Sequence, residues 1–257
     1  QDEVNTYYDF QIVPGFSTPD WAKGAVMYQI YVDRFHNGDK TNDVETGEYA
    51  YINEHVHRVD EWERYPQPMD VREFYGGDLQ GIIDKLEYLQ SLGVEVIYCN
   101  PLFVSPSNHK YDTQDYDYID PHIGKIVVDE GELLQEGDLN NKHAEKYKIR
   151  TTNKENLEAS NQLFIRLVEE LHKRGMKIIV DGVFNHCGSF NKWLDRERIY
   201  ENVEGYEKGA YISADSPYRD YFSFKKNNEK DWPDNASYEG WWDHNTLPKL
   251  NYFYFGL

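Results

Sequence analysis

Three stretches of the chain are apolar almost without interruption, and two others carry apolar residues at helical spacing. "AVMYQIYV" (25–32), "VEVIYCNP" (94–101) and "MKIIVDGV" (176–183) predict strands covered on both faces, because a strand with one wet face would alternate polar and apolar positions. Between the first two, "LQGIIDKLEYLQSLG" (79–93) puts Ile82, Ile83, Leu86 and Leu89 on one helical face and stops at Gly93. "NLEASNQLFIRLVEELHKRG" (156–175) does the same with Leu163, Leu167 and Leu171, flanked by Phe164 and Val168, and ends at Gly175.

Strand, helix, strand, helix, strand with short helix-to-strand joints is the pattern of a parallel α/β sheet. The strand-to-helix connections are long and rich in His, Tyr, Asn and Asp; the opposite ones are a few residues. In a (β/α)8 barrel that asymmetry marks the face carrying the site. The stretch "VDGVFNHCGSF" (180–190), leaving the third strand, therefore lies at the functional end. The connection from 104 to 153 is unusually long. Its early part is expected to form the site, and its charged part, "KIVVDEGELLQEGDLNNKHAEKYKIRTT", to be a solvated insertion. Nothing repeats internally.

Acidic residues outnumber basic ones 46 to 27, for a formal charge of −19, which disfavours nucleic acid and anionic membranes as partners. The apolar runs are too short to span a bilayer. Cys99 and Cys187 make no disulfide framework and read as small buried hydrophobes. Aromatic residues reach 16%, many in polar stretches such as "YDTQDYDYID" and "YEGWWDHN", and aromatic faces beside carboxylates and amides are what a sugar site uses. In "FHNGDKTND" (35–43), side-chain oxygens of Asn37, Asp39, Asn42 and Asp43 can converge on a hard cation; an ordinary Asx-rich turn is the competing reading.

Four blocks, in order, resemble the alpha-amylase superfamily, and within it the neopullulanase and cyclomaltodextrinase branch. They are "REFYGGDLQGIIDKLEYLQSLGVEVIYCNP", "PLFVSPSNHKYDTQDYDYIDPHIG" (101–124), "VDGVFNHCG" and "YEGWWDHNTLPKLN". The resemblance implies a (β/α)8 TIM barrel of the alpha-amylase type, of which the first three strands and the small protruding domain are expected here. Residues 1–20 would be the junction from a preceding domain, 21–187 the first three βα units, and 188–257 the protruding domain and a truncated end, with "YFYFGL" fitting the family pattern poorly.

The resemblance also implies roles. Asp181 matches the aspartate that orients an arginine near the nucleophile, and His186 the histidine that hydrogen-bonds the sugar under attack. Tyr111 matches the tyrosine stacked under that sugar, with His109 beside it; Asn185 supports the site, and Trp241 and Trp242 line the substrate surface. For the cation site, it implies structural calcium with further ligands from the Gly76 carbonyl and Asp78. It implies a retaining glycosidase acting on α-glucosidic bonds of starch-derived oligosaccharides, cyclodextrins or pullulan, with the parent a homodimer.

Double displacement needs a nucleophilic carboxylate and an acid/base carboxylate about 5 Å apart. The family blocks that carry them are not in this sequence, so the expectation is a front-half fragment without chemistry of its own. A non-catalytic α-glucan-binding protein is the alternative. Free cysteines and the branch lean toward the cytoplasm, with an extracellular starch degrader as the other option.

Overall fold

The computed structural model describes residues 12–68 and 70–252; residues 1–11 of the junction and 253–257 of the "YFYFGL" end lie outside the described residues. Met27–Ile30, Val96–Cys99 and Lys177–Val180 form a parallel sheet with Val96–Cys99 in the middle. Met27 pairs with Val96 and Ile30 with Cys99 on one side; Val96 pairs with Lys177 and Cys99 with Val180 on the other. Each strand is shorter than its apolar run. Beyond the ladder the chain must turn outward to deliver polar residues, and it does so at Tyr31, Asn100 and Asp181.

The 20-residue helix Lys154–Lys173 starts where the Asn153 side chain accepts the Glu155 N–H. It ends two residues before Gly175, whose φ of +71° suits the left-handed turn into the third strand. Leu167 and Leu171 bury completely against Leu86, Leu89, Ile97 and Met176 in the main core. The expected 79–93 helix is two pieces, Leu79–Asp84 and Leu86–Ser91, broken at Lys85. Gly81 sits inside the first piece because a Cβ there would meet the His36 carbonyl at 1.9 Å. Asp78 caps this helix through the Gly81 N–H at 2.6 Å.

The 104–153 connection differs from a solvated insertion. Residues 127–137 are mostly exposed, but Phe103–Val104 and Asp115–Ile119 pair as a two-stranded sheet and Glu145–Thr152 is a packed helix. Tyr147 joins a second core cluster with Tyr49, Phe74, Phe190 and Tyr200. Arg150 is only 2% exposed. Its guanidinium donates to Glu48 and Glu45 at 2.8 Å each, to both Asp129 oxygens at 2.8 and 2.9 Å, and to the Asp43 carbonyl at 3.0 Å. Charges that pair this fully can be buried, which is why a polar-looking stretch folds inward.

Beyond the third strand, residues 188–251 contain short 3-10 turns and bridges. They pack around a third cluster of Cys187, Leu194, Phe222, Tyr238 and Leu250. Both cysteines are free and buried, as the sequence predicts. Among the described residues no helix is long and apolar enough to cross a membrane.

Candidate active site

The carboxyl ends of the second and third strands bring Tyr98 and Asp181 together, and the loop after the second strand folds Tyr111 over them. The Asp181 N–H donates to the Cys99 carbonyl at 3.2 Å, fixing the backbone at the rim of the sheet. The Tyr111 hydroxyl donates to Asp181 Oδ2 at 2.9 Å. Burial and the Asp181 carboxylate push the Tyr111 phenol up to about 12. A hydrogen bond to Asp181 also raises Tyr98. Both tyrosines therefore stay protonated donors near neutral pH and hold one carboxylate between them.

His186 lies beneath this group. Its Nε2–H donates to the Tyr111 carbonyl at 3.0 Å, and Nδ1 faces the Asn185 amide nitrogen at 3.2 Å. Burial lowers its pKa, and the neutral ring has one donor and one acceptor to match these partners. Both ring nitrogens of His186 therefore have protein partners here, and one of them supports the Tyr111 backbone. An open N–H belongs to His109. The Tyr111 N–H donates to His109 Nδ1 at 3.0 Å, which puts the proton on Nε2 when the ring is neutral, and burial keeps it neutral.

Trp241 stacks on His186 with ring centroids 4.8 Å apart and planes 10° from parallel. Trp242 stacks on Trp241 at 4.2 Å. Trp242 stands in the left-handed region at φ +50° and is 76% exposed, so its outer face is a platform at the end of a three-ring stack. The Gly240–Pro248 and His186–Lys249 bridges hold this segment against the strand-end loop.

Supporting residues had no distinct signal in the sequence. Ser107 donates to Asp112 and accepts the Lys110 N–H at 3.0 Å, shaping the turn in which Lys110 takes φ +60°. Lys110 is 3% exposed, and its ammonium reaches Asp120 at 2.7 Å. His122 bridges the other Asp120 oxygen at 3.0 Å and Glu48 at 2.7 Å, and Glu48 meets Arg150. A buried line of alternating charge thus runs from the residue beside Tyr111 to the packed insertion. Tyr98 is the one member with a hint, a polar-tipped residue inside an apolar strand.

The predicted cation residues also come together. Among the described residues no three His, Cys, Asp or Glu side chains converge as a metal-holding group, so this set depends on amide and carbonyl oxygens. Asp78 accepts from Gly38 and Asp39 N–H groups at 3.1 and 2.8 Å and from the Asn42 amide at 3.3 Å. The Asn37 amide nitrogen donates to Asp43 at 2.7 Å. Asn37 Oδ1 and Asn42 Oδ1 are buried with no partner. Gly76, at φ +80°, lies where a Cβ would meet Asp43 Oδ1 at 2.4 Å. Orphaned amide oxygens beside carboxylates fit a hard cation, which wants oxygen ligands. Asp39 is already paired with Lys125 at 2.5 Å, and Asp43 with Arg58 at 3.2 Å.

A family model described as alpha amylase, catalytic domain, matches residues 29–136 and 146–255. An amylopullulanase of Thermoanaerobacter thermohydrosulfuricus is 38% identical over 95% of this chain and 14% of its own length. Neopullulanase 2 of Thermoactinomyces vulgaris is 42% identical over 67% of this chain and 21% of its own length. Among solved structures, the type III pullulan hydrolase from Thermococcus kodakarensis aligns with a TM-score of 0.63 and 32% identity. It covers 93% of this chain and 34% of that one. The chain spans no more than about a fifth of the length of these two curated relatives. The parallel sheet with its covering helices is of the TIM-barrel type, and the chain belongs to the alpha-amylase catalytic domain family.

Proposed function

We propose that this chain supplies the sugar-binding floor of a glycoside hydrolase that cleaves α-glucosidic bonds in starch-derived oligosaccharides, cyclodextrins or pullulan by double displacement with retention. The observation that carries this is the joined set of Tyr111, Asp181, His109 and the His186–Trp241–Trp242 stack. The Tyr111 ring offers a face for a pyranose, Asp181 accepts from hydroxyls, and His109 Nε2 donates to one. Cleavage by this route needs a second carboxylate about 5 Å across the scissile bond from the first. Asp181 is held by two tyrosine hydroxyls, an environment for orientation rather than attack, so the residues gathered here bind and orient. A non-catalytic α-glucan-binding role rests on the same floor.

Calcium fits the 37–43 loop with Gly76 and Asp78. Held there, it would pin the loop after the first strand to the start of the Leu79–Asp84 helix, a structural task away from the sugar. Isothermal calorimetry with γ-cyclodextrin and maltotriose, alongside reducing-sugar release from γ-cyclodextrin and pullulan, tests the reading. Saturable binding without release is expected. Absence of binding would overturn the floor, and release would overturn the assignment of its residues to binding alone.

A further inference from the structure

A cavity of about 180 Å³, which Tyr111 does not line, lies between the Ala50–His55 hairpin and the 189–197 and 245–246 segments. Residues 186–189 run antiparallel to 246–249, with the Cys187 N–H on the Pro248 carbonyl at 2.9 Å and the Ser189 N–H on the Thr246 carbonyl at 3.1 Å. At about 3.3 Å per extended residue, the cavity's Ser189–Thr246 end is roughly 10 Å from His186.

Its walls carry opposite charges side by side. Arg196 is tied at Nη1 to the Tyr238 hydroxyl and the Asn245 carbonyl, and its Nε lies 3.9 Å from Glu197 Oε1, which leaves Nη2 unpartnered among the described residues. Glu197 Oε2 is held at 3.0 Å by the Asn141 amide, and that amide also exchanges two 2.9 Å hydrogen bonds with the Ala50 backbone. The carboxylate and the hairpin are thereby fixed relative to each other. An anion would be repelled by Glu197 and a cation by Arg196. A hydroxyl donates and accepts at once, so neighbouring hydroxyls satisfy both groups.

The rest of the lining mixes the polar Asn53, Ser189, Asn245 and Thr246 with apolar side chains. Tyr51 and Phe190 form the floor, and the half-exposed Ile52 and Leu139 form the lip. Ile52 has φ +48° and Asn53 φ +60° in the two-residue turn. Such turns require positive φ at both positions and favour Asn and Gly; a β-branched residue is strained there. Strain of this kind gathers at ligand clamps, and here it holds an apolar side chain over the cavity mouth. The volume is below the roughly 300 Å³ at which drug-sized pockets begin, so the cavity takes one ring and not a chain segment.

We propose that this cavity is a second carbohydrate site, which takes one sugar ring of an α-glucan apart from the Tyr111–Asp181 floor. The choice of an α-glucan rests on the function proposed above. Maltose titrated into the 257-residue chain, followed by backbone amide NMR, separates the two sites. Saturable shifts at Ile52, Asn53 and Thr246 are expected, and they should persist in Tyr111→Ala. Glu197→Gln keeps an acceptor for Asn141 but removes the charge. It should weaken maltose at this cavity roughly tenfold, with no change in melting temperature. Shifts confined to the Tyr111, Asp181 and His186 amides would overturn the proposal, as would shifts at 52, 53 and 246 whose affinity Glu197→Gln leaves unchanged. Shifts confined to the cavity would support it and overturn the floor instead.

Discussion

The imidazole of His122 offers a direct test of the buried charge line. It is 4% exposed and bridges Asp120 and Glu48. Burial opposes its charge, but the two carboxylates outweigh burial and hold its pKa up, from 6.5 to about 9. A pKa raised on folding stabilises the fold fully below the unfolded value and loses that stabilisation as pH rises through the folded value. The rise corresponds to about 3 kcal/mol, of which roughly 2 kcal/mol should disappear between about pH 7 and 8.5. The buried thiols of Cys99 and Cys187 are also pushed up, and they would add a similar loss once the unfolded chain ionises near pH 9, so the scan stops short of it. Urea unfolding at stepped pH should show the decline, and the imidazole proton signal of His122 should titrate near 9. A flat unfolding free energy across the window, or an imidazole that titrates at or below its free value, would refute the charged bridge. His122→Gln leaves two buried carboxylates facing a neutral group and should cost about 3–5 kcal/mol at neutral pH while flattening the slope.

Arg150→Ala should cost a similar 3–5 kcal/mol, because Glu48 loses its second buried partner. Hydrogen exchange should then rise in Glu145–Thr152 before it rises in the parallel sheet. Gly76→Ala strains a φ of +80° and crowds Asp43 and Asn37, so it should abolish any rise in melting temperature on calcium addition; an unchanged rise would count against the ligand set. Tyr111→Phe removes one neutral-to-charged hydrogen bond but keeps the ring. It should weaken maltotriose by about tenfold or less in calorimetry, and Tyr111→Ala by more.

The three strands and the long helix are legible in the sequence because their burial is apolar and local. A continuous run such as "KIIV" has few alternatives, and a leucine stripe ending at Gly175 marks its own limit. The break at Lys85 is not legible, because the 79–93 pattern is compatible with one helix. The three-dimensional constraint is the 36 loop, which lies against Gly81 from 45 residues earlier. Tyr111, Asp181 and His186 are legible as a group only through the resemblance. Their contacts, such as the 2.9 Å bond across 70 residues between Tyr111 and Asp181, lie beyond any local pattern.

The packed insertion shows where composition misleads. "AEKYKIR" reads as solvated because Lys, Glu and Arg are each costly to bury alone. That cost falls when every charge meets its opposite, and the partners of Arg150 sit at 45, 48 and 129, before the helix that carries it. One charge line then serves two ends. At Lys110 it fixes the turn that presents Tyr111, and at Arg150 it grips the Asp43 carbonyl in the loop that fits a cation. The Tyr111 turn and the 37–43 loop are therefore braced by the same buried ions, and loosening Arg150 should be felt at both. Weaker maltotriose binding and a smaller calcium-dependent shift in melting temperature, appearing together in Arg150→Ala, would follow from that shared brace. A change in one without the other would show that the two ends are held separately.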